Sequence, residues 1–469
     1  MPSRTAFLIA PLLLAAPFAR ARAEAAAPSP ARVPHLAFDS YRLSNGLTVI
    51  LHEDHTVPLI GVHVEYDVGS KDEKPHRTGF AHLFEHLMFE GSEHVPKGEA
   101  DRLLNAAGAS NNGQTSQDDT VYWEEAPSNA LDQILYLEAD RMGWLLPTLD
   151  ETKLDNQREV VLNERRQNYE MRPYGLAYEK LMAALWNPEF PYSWLAIGSF
   201  EDVTNANLAD VREFFQRWYG PDDTVLSIAG DFDPTEARRL VERWFGSIPS
   251  RARPVRPPPV PLPLEAEKRI TMEDRVQLPR VYIAWQSPRI FADGDTALDL
   301  AGQILADGKS ARLTGRLEMQ ERIAQGVAAG QSSKALGGEF VVVATPKPGV
   351  SLSQLEQEID EEIERLAATP PSEEELSRAR NKILASEVFG LEPVGGSGGQ
   401  AATLATYYLR TGDPGYLERD LGRYQALSAE DVSAAVRTYL RRDARVVLEV
   451  RPAGTAGPAR PAAERGGQP

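Results

Sequence analysis

The sequence predicts an α+β chain: a tandem duplication of two similar sandwich domains, each a mainly antiparallel sheet with helices on one face. Three observations predict it. Strand-like and helix-like stretches mix without the regular alternation of a doubly wound fold. A proline-rich stretch, Ser247 to Ile270, carries no hydrophobic period and divides the chain into two domain-sized parts. The parts also echo one another. Ser199 to Pro234 and Arg423 to Pro452 both run an acidic-capped amphipathic helix with an aromatic end, then an alternating strand that stops at proline, and Leu149 to Arg166 is echoed by Pro371 to Glu387.

The elements follow in order. Arg4, an apolar run from Ala6 to Phe18 and the small-x-small pattern Ala21-Arg22-Ala23 read as a signal peptide over 1–23, so the chain is expected to be exported, to the periplasm. A flexible segment, 24–36, precedes the first domain, 37–247. There, Tyr41 to Asp54 is a hairpin turning at Asn45-Gly46, Leu59 to Ser70 a third alternating strand, and Phe80 to Ser92 a helix. Lys97 to Gly108 reads as a helix, Ser110 to Ala126 as one strand, and Asn129 to Trp144 and Leu149 to Glu170 as long helices. A stiff, solvated linker, 248–265, leads to the second domain, 266–452, which repeats the outline, and the small-residue tail 453–469 is expected to be disordered. No stretch beyond the signal is apolar for long enough to span a membrane.

The chain has 469 residues, a formal net charge of -18 and no cysteine. The missing thiols exclude disulfides, thiolate metal sites and cysteine nucleophiles. The acidity disfavours nucleic acid and anionic membrane as partners.

Chemistry concentrates in "HLFEH", His82 to His86. On a helix the two histidines lie one turn apart on one face, while Phe80, Phe84, Leu87 and Met88 point toward a core. Two converging imidazoles suit Zn²⁺, and a catalytic zinc needs three protein ligands and one open position. Glu85, adjacent to both histidines, is placed to take a proton from a water there. The alternative is an ordinary helix with surface histidines. All eight histidines lie between positions 35 and 94 and none follows, so a third ligand from later in the chain is expected to be a carboxylate. Leu149 to Glu170 offers Asp155, Glu159, Glu164 and Glu170. Glu164 shares a face with Gln157, an inward stripe carrying a charge, although an exposed glutamate paired with Arg165 or Arg166 fits the periodicity equally well. The glycine-rich Glu392 to Leu409 lacks the Gly-Lys-Ser/Thr ending of a phosphate loop and reads as a flexible loop before a helix.

"HLFEH" followed by the glutamate of "REVVLNE" in a duplicated α+β chain resembles the pitrilysin (insulinase) family of inverted-motif zinc peptidases, among them the zinc-bearing subunits of processing-peptidase-like members. The resemblance implies that His82, His86 and Glu164 hold one zinc ion per chain, that Glu85 is the catalytic base, and that Gln157 supports a ligand. It places Asn112 and Thr115 beside a cleft where an extended peptide adds as a further strand. It implies an exported endopeptidase acting on peptides or short unfolded segments inside a dimeric chamber. The rival readings are a non-catalytic scaffold or assembly subunit and a processing peptidase dedicated to one substrate. Two departures stand out: Gln157 replaces a second glutamate, and Glu318 and Gln325 stand where the family carries an Arg/Tyr pair that holds the substrate. The second domain therefore reads as inactive, and the expected partner is a related chain carrying that pair. The alternative is a homodimer in which Arg312 or Arg316 supplies the positive charge.

Overall fold

Two mixed sheets organise the chain. The computed structural model describes residues 35–256 and 261–454, so the expectations for 1–23, for 24–34 and for 455–469 lie outside the described residues. The first sheet comprises β1 (Asp39–Arg42), β2 (Thr48–Glu53), β3 (Leu59–Tyr66), β4 (Ser110–Thr115), β5 (Thr120–Pro127) and β6 (Thr224–Gly230). The second comprises β7 (Lys268–Asp274), β8 (Arg280–Ser287), β9 (Ala324–Ser333), β10 (Gly338–Pro346) and β11 (Val446–Pro452). Their orders are β1-β2-β6-β3-β5-β4 and β7-β11-β8-β10-β9. In each, a late strand inserts between two early ones: β6 is parallel to β2 and antiparallel to β3, and β11 is parallel to β7 and antiparallel to β8. Apart from the extra β1, the two orders superpose strand for strand, as a duplicated sequence requires.

The hairpin at Asn45-Gly46 forms as its sequence dictates. Gly46 takes φ +97°, which a side chain resists, and Asn45 caps two distant carbonyls, those of Phe245 and Ile248, at 2.8 and 3.0 Å. The stretch Ser110 to Ala126 departs from expectation: it is two antiparallel strands, β4 and β5, rather than one. Its turn contains no glycine or proline. Ser116 makes it instead, its Oγ accepting from the amides of Asp118 and Asp119 at 2.9 and 3.0 Å and donating to Asp119 Oδ1 at 2.7 Å.

Helices cover both faces of each sheet, not one. Val49 and Leu51 face the large core that also holds the helix Phe80–Leu87, whereas Ile50 and Val225 face Leu404 and Ala405 of the helix Gln400–Thr411 from the second half. The exchange is reciprocal. Val281, Ile283 and Val447 enter the second half's own core, while Tyr282, Ala284, Val446 and Leu448 join the first core with Leu181 and Leu185 of the helix Ala177–Leu185. Strands such as β2 and β6, apolar on successive residues, need cover on both sides, and each half lends the other a helix. The glycine-rich loop takes part: a Cβ on Gly61 of β3 would lie 2.4 Å from Gly395 Cα, so the two backbones meet only because both residues are glycine. That loop is packed rather than free. The described first part of the linker, through residue 256, is likewise strapped down by arginines, Arg251 to the carbonyl of Tyr219 at 2.7 Å and Arg256 to Asp72 and Asp223, both at 2.6 Å.

Candidate metal centre

The helix Phe80–Leu87 is amphipathic in the way its sequence demands. Phe80, Leu83, Phe84 and Leu87 are buried, and Phe84 stacks on Phe215 with ring centroids 5.0 Å apart. Its N-terminus is fixed by the buried carboxyl of Glu73, which accepts from the amides of Gly79 and Ala81 at 3.1 and 2.9 Å. The other face carries His82 and His86, ring centroids 4.7 Å apart. Across from them the helix Glu151–Arg165, capped by Asp150, presents Gln157 and Glu164, while Glu159 is exposed.

Glu164 Oε2 lies 3.7 Å from His82 Nε2 and 3.5 Å from His86 Nε2. Among the described residues this trio is the one group of histidine and acidic side chains whose ligand atoms converge as a metal site would require, all within 4.8 Å of one another. Hydrogen bonding gives the convergence a sign. Gln157 Nε2 donates to the buried Glu90 carboxylate, which turns Gln157 Oε1 toward His86 Nδ1 at 3.2 Å. An amide oxygen only accepts, so Nδ1 carries a proton and Nε2 is the atom left to ligate when the ring is neutral. Nε2 and the Glu164 carboxylate share either a proton, which charges the ring, or a metal ion in its place. Lys97 closes the chain by donating to Glu90 at 2.5 Å.

Titration follows from burial and charge. Burial, with the charge of His86, lowers His82 to about 4, so it stays neutral and free to ligate. Burial also opposes charge on His86, but hydrogen bonding to Glu164 and the charge of Glu85 outweigh it and the net shift is upward. Glu164 is lowered, chiefly by its hydrogen bond with His86. Burial raises Glu85 against the hydrogen bond from Thr115.

Glu85 stands outside the trio. Its Oε2 accepts from Thr115 Oγ1 at 2.6 Å, and its Oε1 would lie 3.0 Å from a Cβ on Gly113, so β4 passes directly over it. A cleft of about 580 Å³ opens above these groups, lined also by Phe89, Asn112, Tyr169 and Ile197. One wall is β4, the edge strand of its sheet.

The sequence-predicted residues therefore come together, with differences. Thr115 is engaged by Glu85 and does not face the cleft with a free hydroxyl, and Asn112 is exposed with its Oδ1 on the amide of Gly113 at 2.9 Å. Glu318 Oε1 accepts from the amide of Val327 at 2.8 Å, and Gln325 is exposed on β9. Arg312 and Arg316, the alternative cations, are both engaged within the chain. Arg312 is paired with Glu375 at 2.7 Å, and Arg316 with Glu321 at 2.8 Å, Glu361 at 2.9 Å and Glu358. Sequence reasoning missed Glu90, Lys97 and Tyr169. The sequence hints only at Glu90, through its place four residues past His86, one turn on along the same helical spacing.

The profile described as "Insulinase (Peptidase family M16)" matches residues 48–191, and the one described as "Peptidase M16 inactive domain" matches 205–383. The chain belongs to the insulinase family. Within it, the zinc protease PqqE of Helicobacter pylori is 27% identical over 407 residues, 86% of this chain and 90% of that one. The beta subunit of the mitochondrial-processing peptidase of Blastocladiella emersonii is 28% identical over 219 residues, 46% of each chain. The crystal structure of a protease from Helicobacter pylori superposes with a TM-score of 0.82 at 26% identity, covering 89% of this chain and all of that one. The first profile spans β2 to β5 of the first sheet; the second begins before β6, still in the first sheet, and runs on through β7 to β10 of the second. Among the described residues no helix is long and apolar enough to cross a membrane.

Proposed function

We propose that this insulinase-family chain is an exported zinc endopeptidase in which His82, His86 and Glu164 hold one zinc ion and Glu85 is the base. The observation that carries the reading is the convergence of three ligand atoms, Glu164 Oε2 lying 3.5 and 3.7 Å from the two imidazole nitrogens, with a second acid, Glu85, beside them but tied to β4. Two imidazoles and a carboxylate are the donor set of a catalytic zinc site with one position left open. A zinc ion held there would supply an acidified water and polarise a substrate carbonyl.

The chain's own groups do the rest. Glu85, raised by burial, accepts the proton of the attacking water and can return it to the departing amine. The hydrogen bond from Thr115 engages Oε2 of Glu85 and leaves Oε1 to take the proton. The free edge of β4 takes an extended peptide as a further strand, so affinity rests on main-chain hydrogen bonds and selectivity on a few side-chain pockets. Gln157 holds His86 in the ligating tautomer. Peptides and short unfolded segments fit such a cleft. Export rests on residues 1–23 of the sequence, and a chamber completed by a related chain rests on Glu318 and Gln325. Those two departures are also what favours the second reading, a scaffold subunit of the same fold.

The test is zinc content and turnover of a quenched-fluorescence peptide by the wild-type chain and Glu85→Gln. The proposal expects one zinc per chain in both and a loss of about 10²–10⁴-fold in the variant. A metal-free wild-type protein favours the scaffold reading.

A further inference from the structure

The second half contains no histidine, yet it reaches the first half's site through polar contacts joined at one point by the peptide bond between Thr115 and Ser116. Arg410, on the helix Gln400–Thr411, has a side chain only 9% exposed and donates to Asp119 Oδ2 at the β4–β5 turn, with Asp118 Oδ2 3.7 Å away. The other oxygen of Asp119 accepts from Ser116 Oγ at 2.7 Å, and that same Oγ accepts the two turn amides. Ser116 adjoins Thr115, whose hydroxyl donates to Glu85 at 2.6 Å. A second tether runs beside it: Asp118 Oδ2 accepts from the amide of Ala335, in the β9–β10 turn, at 2.8 Å.

We propose that Arg410 is a positioning residue for Glu85, acting through Asp119, Ser116 and Thr115 to set the register of β4 over the site. The proposal rests on Glu85 being the base, and it adds a task for the second half within the same chain. Docking the halves does not require this arginine. Leu404 and Ala405 already pack on Ile50 and Val225, Thr406 donates to Glu65 at 3.0 Å, and Tyr408 meets Thr48 at 3.1 Å. Other groups also hold the turn, Tyr192 and the amide of Ala335 on Asp118 and the amide of Lys71 on the Gln117 carbonyl, but Arg410 is the cation on the Asp119 carboxylate, the group that Ser116 shares. β4 is an edge strand, paired on one side only, and its last rung is Thr115 opposite Thr120. A strand with one partner follows its turn, so a turn held by this guanidinium fixes the aim of the Thr115 hydroxyl and of the amides offered to substrate.

The test is a double-mutant cycle of Arg410→Met and Thr115→Val, with Arg410→Lys as the conservative variant, read by kcat and KM on a quenched-fluorescence peptide, zinc content, and hydrogen exchange of the metal-loaded protein. Arg410→Met is expected to keep its zinc, lose about 10–100-fold in kcat/KM mainly through kcat, and be partly rescued by lysine. In the Thr115→Val background the same change should cost less than about threefold, since the line is already cut. Amides of 113–119 should exchange at least about tenfold faster, with β8 and β10 unchanged. Multiplying losses in the cycle, unchanged exchange in the turn, or faster exchange throughout the chain would each overturn the relay. If the wild-type chain binds zinc but turns over no peptide, the peptidase reading fails separately, and the exchange of 113–119 still decides whether Arg410 holds the strand.

Discussion

Gln157 Oε1 accepts a hydrogen bond from His86 Nδ1 at 3.2 Å, and the amide is held in that orientation by the carboxylate of Glu90. This is where the chain departs from the family pattern of a glutamate at the same place, and the neighbour explains the departure. A carboxylate at 157 could accept from His86 equally well, but it would face Glu90, buried at 2% exposure, with like charge. Gln157→Glu should therefore destabilise the fold by about 1–3 kcal/mol while leaving zinc bound. Adding Glu90→Gln should restore stability, because the new amide can donate to the new carboxylate and Lys97, 58% exposed, loses its partner cheaply. Thermal melts of the single and double variants check this.

The third ligand is decided by Glu164→Ala against Glu159→Ala. Glu164 Oε2 meets both imidazoles, whereas Glu159 is exposed on the same helix. Zinc stoichiometry should fall to near zero in the first and stay at one in the second. The opposite pattern would move the ligand one turn and more along the helix.

A pH effect is expected far from the metal. Burial raises Asp299 to about 7, with the charges of Asp295 and Asp420 adding to it, and Tyr424 donates to it at 2.7 Å. In the unfolded chain the group titrates near 3.8. Between these values the unfolded state has released a proton that the folded state retains, so the contribution to stability is complete below about 4 and is lost as pH rises toward about 7. Asp299→Asn keeps the acceptor for Tyr424 and removes the titration. Urea unfolding at pH 5 and pH 8 should show a smaller fall in stability for the variant than for wild type.

Glu318 and Gln325 predict divided labour. Transition-state stabilisation needs a donor or cation at the developing oxyanion, and Arg312 and Arg316 are both held by carboxylates. The isolated chain should bind zinc yet hydrolyse peptides slowly. A related chain bearing the Arg/Tyr pair should raise the rate at least about 10²-fold, with assembly followed by light scattering. A fast isolated homodimer would contradict the division without touching the zinc site.

The motif was legible because everything it needs lies within one helical turn: His82 and His86 share a face by spacing alone, with Glu85 between them. Glu164 was legible only as one of several acids, since its sharing of a face with Gln157 depends on where a helix of fifteen residues presents its inward side. The β4–β5 hairpin was hidden because a serine side chain, not glycine or proline, makes the turn. The duplication was visible in repeated patterns, but the exchange of covering helices was not: nothing in Leu404 or Leu181 marks which sheet each will meet. Glu90 escaped notice because its partner lies 67 residues away.

The most direct test of the zinc assignment is an anomalous difference map from crystals of the zinc-loaded chain, with data collected on either side of the zinc absorption edge. The account predicts a single strong peak about 2.0–2.2 Å from His82 Nε2, His86 Nε2 and a Glu164 oxygen, with Glu85 unliganded and still bonded to Thr115. A peak ligated by Glu85, or stoichiometric zinc bound elsewhere with this trio empty, would contradict it.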